Sequence, residues 1–272
     1  MQAPIGVFDS GYGGLTVLKE FTKHLPQYDY IYLGDNGRAP YGNRSFETVY
    51  QYTLQCVSWL FKQNCPLIIL ACNTASAKAL RTIQQNDLDK KFPGKKILGV
   101  IRPTTEIIGN YSKTNHVGIM ATSGTVQSQS YLIEINKFFP RVKVVQQACP
   151  MLVPLIENNE FENEAADYFI QKYINDLLKQ DEKIDTILLA CTHYPLIKKK
   201  IEKFLPKGVN VIAQAELVAA SLKDYLLRHA EIETQLSKNK TIQFYTTDSS
   251  EDFNNHASIF YRKKVISKQI SL

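Results

Sequence analysis

The sequence predicts an α/β protein with mostly parallel sheets flanked by helices, built as two similar halves in a pseudo-symmetric relation. Three observations carry this expectation. Short apolar runs alternate with amphipathic stretches along the chain, the pattern of parallel strands covered by helices on both faces. Leu70-Ala71-Cys72-Asn73-Thr74-Ala75-Ser76 has a counterpart in Leu189-Ala190-Cys191-Thr192-His193-Tyr194-Pro195, each an apolar run that delivers Ala-Cys and then small polar residues. Upstream of each, an apolar run meets a polar corner and a glycine. Asp9 stands 63 residues before Cys72, and Thr122 stands 69 residues before Cys191. Such internal repetition marks two versions of one unit.

In order along the chain, residues 5–8 read as a strand entering Asp9-Ser10-Gly11-Tyr12-Gly13-Gly14-Leu15, after which Leu15, Leu18, Phe21 and Leu25 recur at helical spacing. The glycine loop is no dinucleotide fingerprint, because Thr16 stands where the third glycine belongs. It suits a turn whose amides hold a small anion or carboxylate, or a plain tight turn. Residues 30–35 form a second strand, 36–42 a loop with Pro40-Tyr41-Gly42, and 46–61 a helix whose Trp59 and Phe61 belong to the core. The run 67–70 is a buried strand before Cys72, and 75–83 a helix with Ala79, Leu80 and Ile83 on one face. Residues 87–96, with Pro93-Gly94, read as a polar connector.

A second set of elements opens with strands at 97–101 and 117–120. A strand at 142–145 reaches Cys149-Pro150, and an amphipathic helix at 165–178 feeds the strand 187–189. Pro195 suits a first helical turn, with Leu196, Ile197, Ile201, Phe204 and Leu205 as the apolar stripe behind it. A strand at 209–213, a helix at 215–227, a strand at 242–246 and a closing helix at 252–260 complete the chain. Ligands of such sheets bind beyond the carboxyl ends of the strands, where Asp9, Cys72, Thr122 and Cys191 all fall.

Composition narrows the class. The 272 residues fit one large or two moderate domains, and 44% hydrophobic content without low-complexity tracts is that of a globular chain. The first residues carry neither a basic region nor a long apolar run, so no signal peptide is expected, and no window matches a membrane span. Five cysteines, an odd number without tight spacing, suit free thiols in a reducing cytoplasm. The net charge of +6 comes from short basic groups scattered among acids, which reads as a solvated surface rather than a nucleic-acid footprint.

Cys56, Cys65 and Cys149 read as small buried hydrophobes. Cys72 and Cys191 differ, since both stand at matched strand ends where backbone amides and a helix dipole favour a thiolate. Three uses of the pair compete. A redox disulfide lacks the Cys-x-x-Cys spacing, and a zinc site from Cys72, Cys191 and His193 lacks closely spaced ligands. The third is proton transfer at carbon, one thiolate removing a proton while the opposing thiol returns one to the other face. Asp9 near Cys72, with Glu157 or His193 near Cys191, would then tune or relay protons. Taken alone, Asp9 reads as a helix cap, Glu157 as a solvated acid and His193 as a structural histidine.

The motifs from Asp9 to Leu15, Gly34-Asp35, Pro40-Tyr41-Gly42, Ala71 to Ser76, Cys149-Pro150 with Leu155-Ile156-Glu157, and Cys191 to Pro195 together resemble the glutamate racemases of the aspartate/glutamate racemase family. They do so in order over nearly the whole chain. The resemblance implies a two-cysteine racemase that needs no cofactor and no metal, making D-glutamate for peptidoglycan and cell-wall biogenesis in the cytoplasm. It also implies a second domain inserted within the first, here 97–207 within 1–96 plus 208–272, with the active site between them. Glutamate is the implied substrate and a homodimer the implied assembly, with no nucleic acid or membrane required.

Carried over by position, the resemblance gives Cys72 the proton of the D-isomer, assisted by Asp9, and Cys191 that of the L-isomer, assisted by Glu157 and His193. Ser10, Pro40, Tyr41, Gly42, Asn73, Thr74, Thr122 and Thr192 would hold the substrate. Ala121 and Ala190 depart from it, standing where the family commonly has glycine, and Ile101-Arg102-Pro103-Thr104 is less typical. A racemase of another acidic amino acid such as aspartate, and a non-catalytic amino-acid-binding protein on the same scaffold, stay open beside this reading.

Overall fold

The computed structural model describes residues 2–272. Among them, ten strands form two sheets in which every pairing is parallel. The first sheet contains β1 (Ile5–Asp9), β2 (Tyr30–Gly34), β3 (Leu67–Leu70), β4 (Lys96–Gly99), β9 (Ile242–Thr246) and β10 (Ser267–Gln269), in the order β10-β9-β2-β1-β3-β4. The second contains β5 (His116–Ala121), β6 (Lys143–Ala148), β7 (Thr186–Ala190) and β8 (Asn210–Ala213), in the order β6-β5-β7-β8. Reading β2-β1-β3-β4 against β6-β5-β7-β8 matches the strands one for one. β1 corresponds to β5 and β3 to β7, so the corners at Asp9 and Thr122, and those at Cys72 and Cys191, are equivalent places in two copies of one unit.

The central strands are apolar along their whole length because helices cover both faces. Every residue of β1, β2, β3 and β7 is buried. The helix Leu15–His24 buries Leu15, Leu18 and Phe21 and packs against the helix Ala215–Arg228. The helix Phe46–Lys62 begins on Ser45, whose hydroxyl accepts from Thr48 N at 3.1 Å, and lies on the opposite face.

Several expectations need correction. The strand expected at 97–101 is β4, and it pairs with β3 in the first sheet, Ile97 opposite Ile68. Only the turn after Phe92 separates it from the preceding helical segment, so the chain returns beside the nearest strand in an ordinary crossover. Likewise β8 pairs with β7 in the second sheet, Val211 opposite Ile187. The expected boundaries after 96 and after 207 therefore each separate a strand from the sheet it pairs with. Val100 and Ile101 belong to no strand, and a short helix begins at Ile101.

The first half of the polar connector expected at 87–96 is helical, as far as Lys91. A π-helical turn, Ile83–Leu88, buries Ile83 and Leu88 five residues apart, and Asp87 beneath it accepts from Tyr50 Oη at 2.8 Å and pairs with Lys91 at 2.6 Å. The side chains that made this stretch look exposed are partly absorbed in those bonds. Trp59 is half-buried rather than core, with its ring edge-on to Tyr245, whereas Phe61 is buried. The helix Ser250–Tyr261 does not close the fold, because β10 follows it and extends the first sheet beyond β9.

β9 is brought to β2 from a distance of some two hundred residues by a carboxylate. Asp29, buried just before β2, accepts from the backbone N–H groups of Asn239 (3.1 Å) and Thr241 (2.7 Å) and from the Thr241 hydroxyl (2.8 Å). Burial alone would raise its pKa, but bonds from Ser237, Thr241 and Asn239 outweigh it and hold the carboxyl at about 2. A depressed carboxyl contributes stability above its unfolded pKa and loses it as pH falls through the folded value, here between about 4 and about 2. Asp29→Ala strands two backbone donors at a cost of roughly 1–3 kcal/mol. Thermal melts at pH 7 should show a drop on the order of 5 °C. Below pH 4, melts of the variant should lose stability less steeply than those of the parent.

Candidate active site

Both cysteines sit where a buried strand runs out of partners. β3 ends at Leu70, and Cys72 caps the short helix Asn73–Lys78, its sulfur accepting from Ala75 N at 3.4 Å and donating to Ser10 Oγ at 3.4 Å. β7 ends at Ala190, and Cys191 leads into Thr192, His193 and a 3₁₀ turn at Tyr194–Ile197. The two corners thus differ after the strand, and only Cys72 stands as the cap of an α-helix. The dipole expected to favour a thiolate there is overruled. Burial pushes the Cys72 thiol up to about 12, and the nearby Asp9 carboxylate adds to the effect. At neutral pH Cys72 carries its proton.

The glycine loop explains how the corners meet. At Gly13 a Cβ would fall well inside contact distance of Thr192 Oγ1 and His193 Nδ1, so only a glycine lets the second cysteine's loop lie against the first sheet. Thr16 fastens this approach, its hydroxyl donating to Thr192 O at 2.9 Å. The loop does hold a carboxylate by its amides, but it is the chain's own. Asp9, fully buried, accepts from Gly11 N at 3.0 Å and from Thr192 Oγ1 at 3.4 Å. Burial raises the Asp9 pKa against the pull of His193 and of the Gly11 and Gly14 amides.

On the Cys191 side, His193 lies between sulfur and carboxylate. Its Nδ1 is 3.8 Å from Cys191 Sγ and its Nε2 is 2.8 Å from Glu157 Oε1. Burial opposes a charge on this ring, yet the bonds to Cys191 and Glu157 outweigh it and hold the pKa well above the ordinary histidine value. Among the described residues, no group of three His, Cys, Asp or Glu side chains is arranged to hold a metal ion.

A cavity of about 130 Å³ lies between the two sheets and is lined by Cys72, Cys191, His193 and Glu157. Ser10, Pro40, Tyr41 and Gly42 line it from the first sheet's loops, with Asn73 and Thr74 beside Cys72 and Thr122 and Thr192 opposite. Asp9 alone among the expected site residues lies behind the wall. Tyr41 presents no free hydroxyl, because that group donates to Asp35, which Arg38 Nε also engages at 2.8 Å. Its phenol proton is therefore not available to a ligand. Gly42 O accepts from Gly124 N at 2.7 Å, and Thr74 Oγ1 is 3.0 Å from Thr122 Oγ1, so these contacts join the two halves at the cavity's edge. Ala121 and Ala190 lie side by side in register, both buried, and Thr122 still reaches the cavity.

Among the wall residues that sequence reasoning missed are Cys149, Val153 and Pro154. Two signals pointed to them. Cys149 follows β6 as Asp35 follows β2 in the matched copy, and Val153 and Pro154 lie one helical turn before Glu157 in the helix Leu152–Glu157.

The His193–Glu157 pair makes a direct prediction. In Glu157→Gln the carboxylate charge is gone while burial remains, so the His193 pKa should fall. An NMR titration of the imidazole carbon-bound protons measures this, and an unchanged value would mean that Glu157 does not hold the charge.

The model of the family described as Asp/Glu/Hydantoin racemase matches residues 15–222. A glutamate racemase of Geobacter metallireducens is 39% identical over 90% of this chain and 87% of its own length. Among solved structures, a glutamate racemase isoform from Bacillus anthracis superimposes with a TM-score of 0.89 at 33% identity, covering 99% of this chain and 98% of that one. The glutamate racemase of Francisella tularensis, solved with D-glutamate, gives a TM-score of 0.87 at 31% identity over 99% and 98%. With the family model covering most of the chain, and relatives aligned over nearly all of it, this chain belongs to the Asp/Glu/hydantoin racemase family.

Proposed function

We propose that this chain interconverts L-glutamate and D-glutamate by moving the α-proton between two cysteines, without a cofactor. The observation that carries the reading is that Cys72 and Cys191, from equivalent corners of two sheets, line one small cavity, each with its own polar helpers. Glutamate is favoured over aspartate because the relatives that match nearly the whole chain at 31–39% identity bear the name glutamate racemase. Supply of D-glutamate to peptidoglycan in the cytoplasm belongs to the same proposal.

From L-glutamate, the Cys191 sulfur takes the α-proton as a thiolate, and the Cys72 thiol gives its own proton to the opposite face of the carbon. The sulfurs end with exchanged protonation, and the product leaves before they re-equilibrate with water. His193, held charged by Glu157, stands beside Cys191 with Nδ1 3.8 Å from the sulfur, as the partner with which that sulfur can exchange a proton. On the other side the raised pKa of Cys72 keeps a proton ready for delivery, and Ser10 Oγ orients it. In the reverse direction Cys72 must first lose that proton, and its thiolate is then the stronger base. Asp9 works on this thiol through its charge, since its bonds go to Gly11 and Thr192.

Isotope labelling tests this. Protein dialysed exhaustively against a chelator should still racemise L-glutamate in heavy water. Early D-glutamate should carry deuterium at the α-carbon while the remaining L-glutamate stays protiated, since each thiol faces one side. Equal early labelling of both isomers would mean that one base serves both faces. Separately, Cys72→Ala and Cys191→Ala should each lower kcat by a factor on the order of 10³, the scale of a lost acid or base, with melting behaviour nearly unchanged. A variant that retains comparable turnover removes its cysteine from the mechanism.

A further inference from the structure

Three buried side-chain polar atoms among the described residues lack a hydrogen-bond partner, and only one, Asn73 Nδ2, belongs to a residue that lines the cavity. The other end of the same amide is bonded. Asn73 Oδ1 accepts from Tyr131 Oη at 2.5 Å, and Tyr131 is fully buried near the start of the helix Ser130–Phe138 in the second half of the fold. Tyr131 Oη in turn accepts from Gln214 Nε2 at 2.5 Å. The phenol has one proton, and because Gln214 supplies a donor, that proton is directed to Asn73. The direction of the chain is therefore fixed at its far end.

That far end lies where the chain crosses between the sheets. Gln214 directly follows β8, and Val100 directly follows β4, the equivalent strand of the other sheet. Gln214 Nε2 also lies 3.1 Å from Thr104 Oγ1 and 3.5 Å from Val100 O, so one amide joins both crossings and starts the chain of bonds to the cavity. Every member is nine-tenths buried or more.

We infer that Tyr131 and Gln214 are positioning residues that fix the amide of Asn73, leaving Nδ2 as the donor offered to a carboxylate of the substrate. An asparagine free to turn would present oxygen to that carboxylate in half of its orientations, and repel it. The relay joins Asn73 of one half to Tyr131 of the other through the crossing segments, so the donor is set only when the two halves hold this arrangement. The inference rests on the racemase reading for the identity of the substrate, not for the existence of the relay.

The test is a double-mutant cycle with a spectroscopic arm. Tyr131→Phe should lower kcat/KM for glutamate about tenfold, the scale of a hydrogen bond to a charged group. On an Asn73→Ala background the same substitution should change it less than twofold, because its target is gone. An equal loss in both backgrounds would overturn the inference, since packing alone gives additive effects. In protein labelled with ¹⁵N-asparagine, the Asn73 side-chain amide pair is assigned by its loss in Asn73→Ala. That pair should shift in Tyr131→Phe and in Gln214→Leu, a residue that does not touch Asn73. An unmoved pair in both variants overturns the relay even if the wild-type protein fails to racemise glutamate, a failure that would sink the function reading instead.

Discussion

The site depends on one close approach between the two halves of the fold. The corner after β1 must come against the loop after β7, and the main chain at Gly13 leaves no room there for a side chain. Once this contact forms, the Thr192 hydroxyl reaches Asp9 and the Thr16 hydroxyl reaches the Thr192 carbonyl. Cys191 and His193 are carried along with the same loop. A glycine-rich turn at a strand end often holds a phosphate. Here it serves the meeting of two protein surfaces, and its amides are used on an internal carboxylate.

Around this contact, burial sets the chemistry more than the local dipoles do. Cys72 has the geometry of a helix cap, yet its thiol and the Asp9 carboxyl are both pushed toward their neutral forms by the surrounding apolar shell. His193 goes the other way because two bonded neighbours repay its desolvation. The cavity thus combines a protonated thiol on one wall with a charged imidazole on the other, a polarity that neither cysteine motif shows by itself.

The alternation of strands and helices was legible because parallel strands buried on both faces leave unbroken apolar runs, as in Ile5–Asp9 and Leu67–Leu70. The repeat was legible for a related reason: equivalent corners carry the same small residues. What escaped reading was set by contacts between distant segments. β4 and β8 are short, with partly exposed residues, and their allegiance is decided by which neighbour they meet. The π-turn at Ile83–Leu88 looks polar because Asp87 is satisfied by Tyr50, 37 residues away. All the expected cavity residues except Asp9 line the cavity, but the sequence did not reveal that the Tyr41 hydroxyl is engaged elsewhere, nor that Cys149 joins the wall. The Gln214–Tyr131–Asn73 chain had no local signature at all, since its members are far apart and ordinary in type.

The unequal surroundings of the two thiols have a thermodynamic bound. Mirror-image amino acids have the same free energy in water, so a racemisation has an equilibrium constant of one. The ratio of kcat/KM in the two directions must then also be one, whatever the protein does. The capped, neutral Cys72 and the histidine-flanked Cys191 can make one enantiomer bind more tightly or turn over more slowly, but every gain in one constant is matched by a loss in the other. In the proposed mechanism, the near-symmetry of the two sheets supplies a proton-carrying group for each face of the carbon. Its imperfections decide only which intermediate state of the protein accumulates.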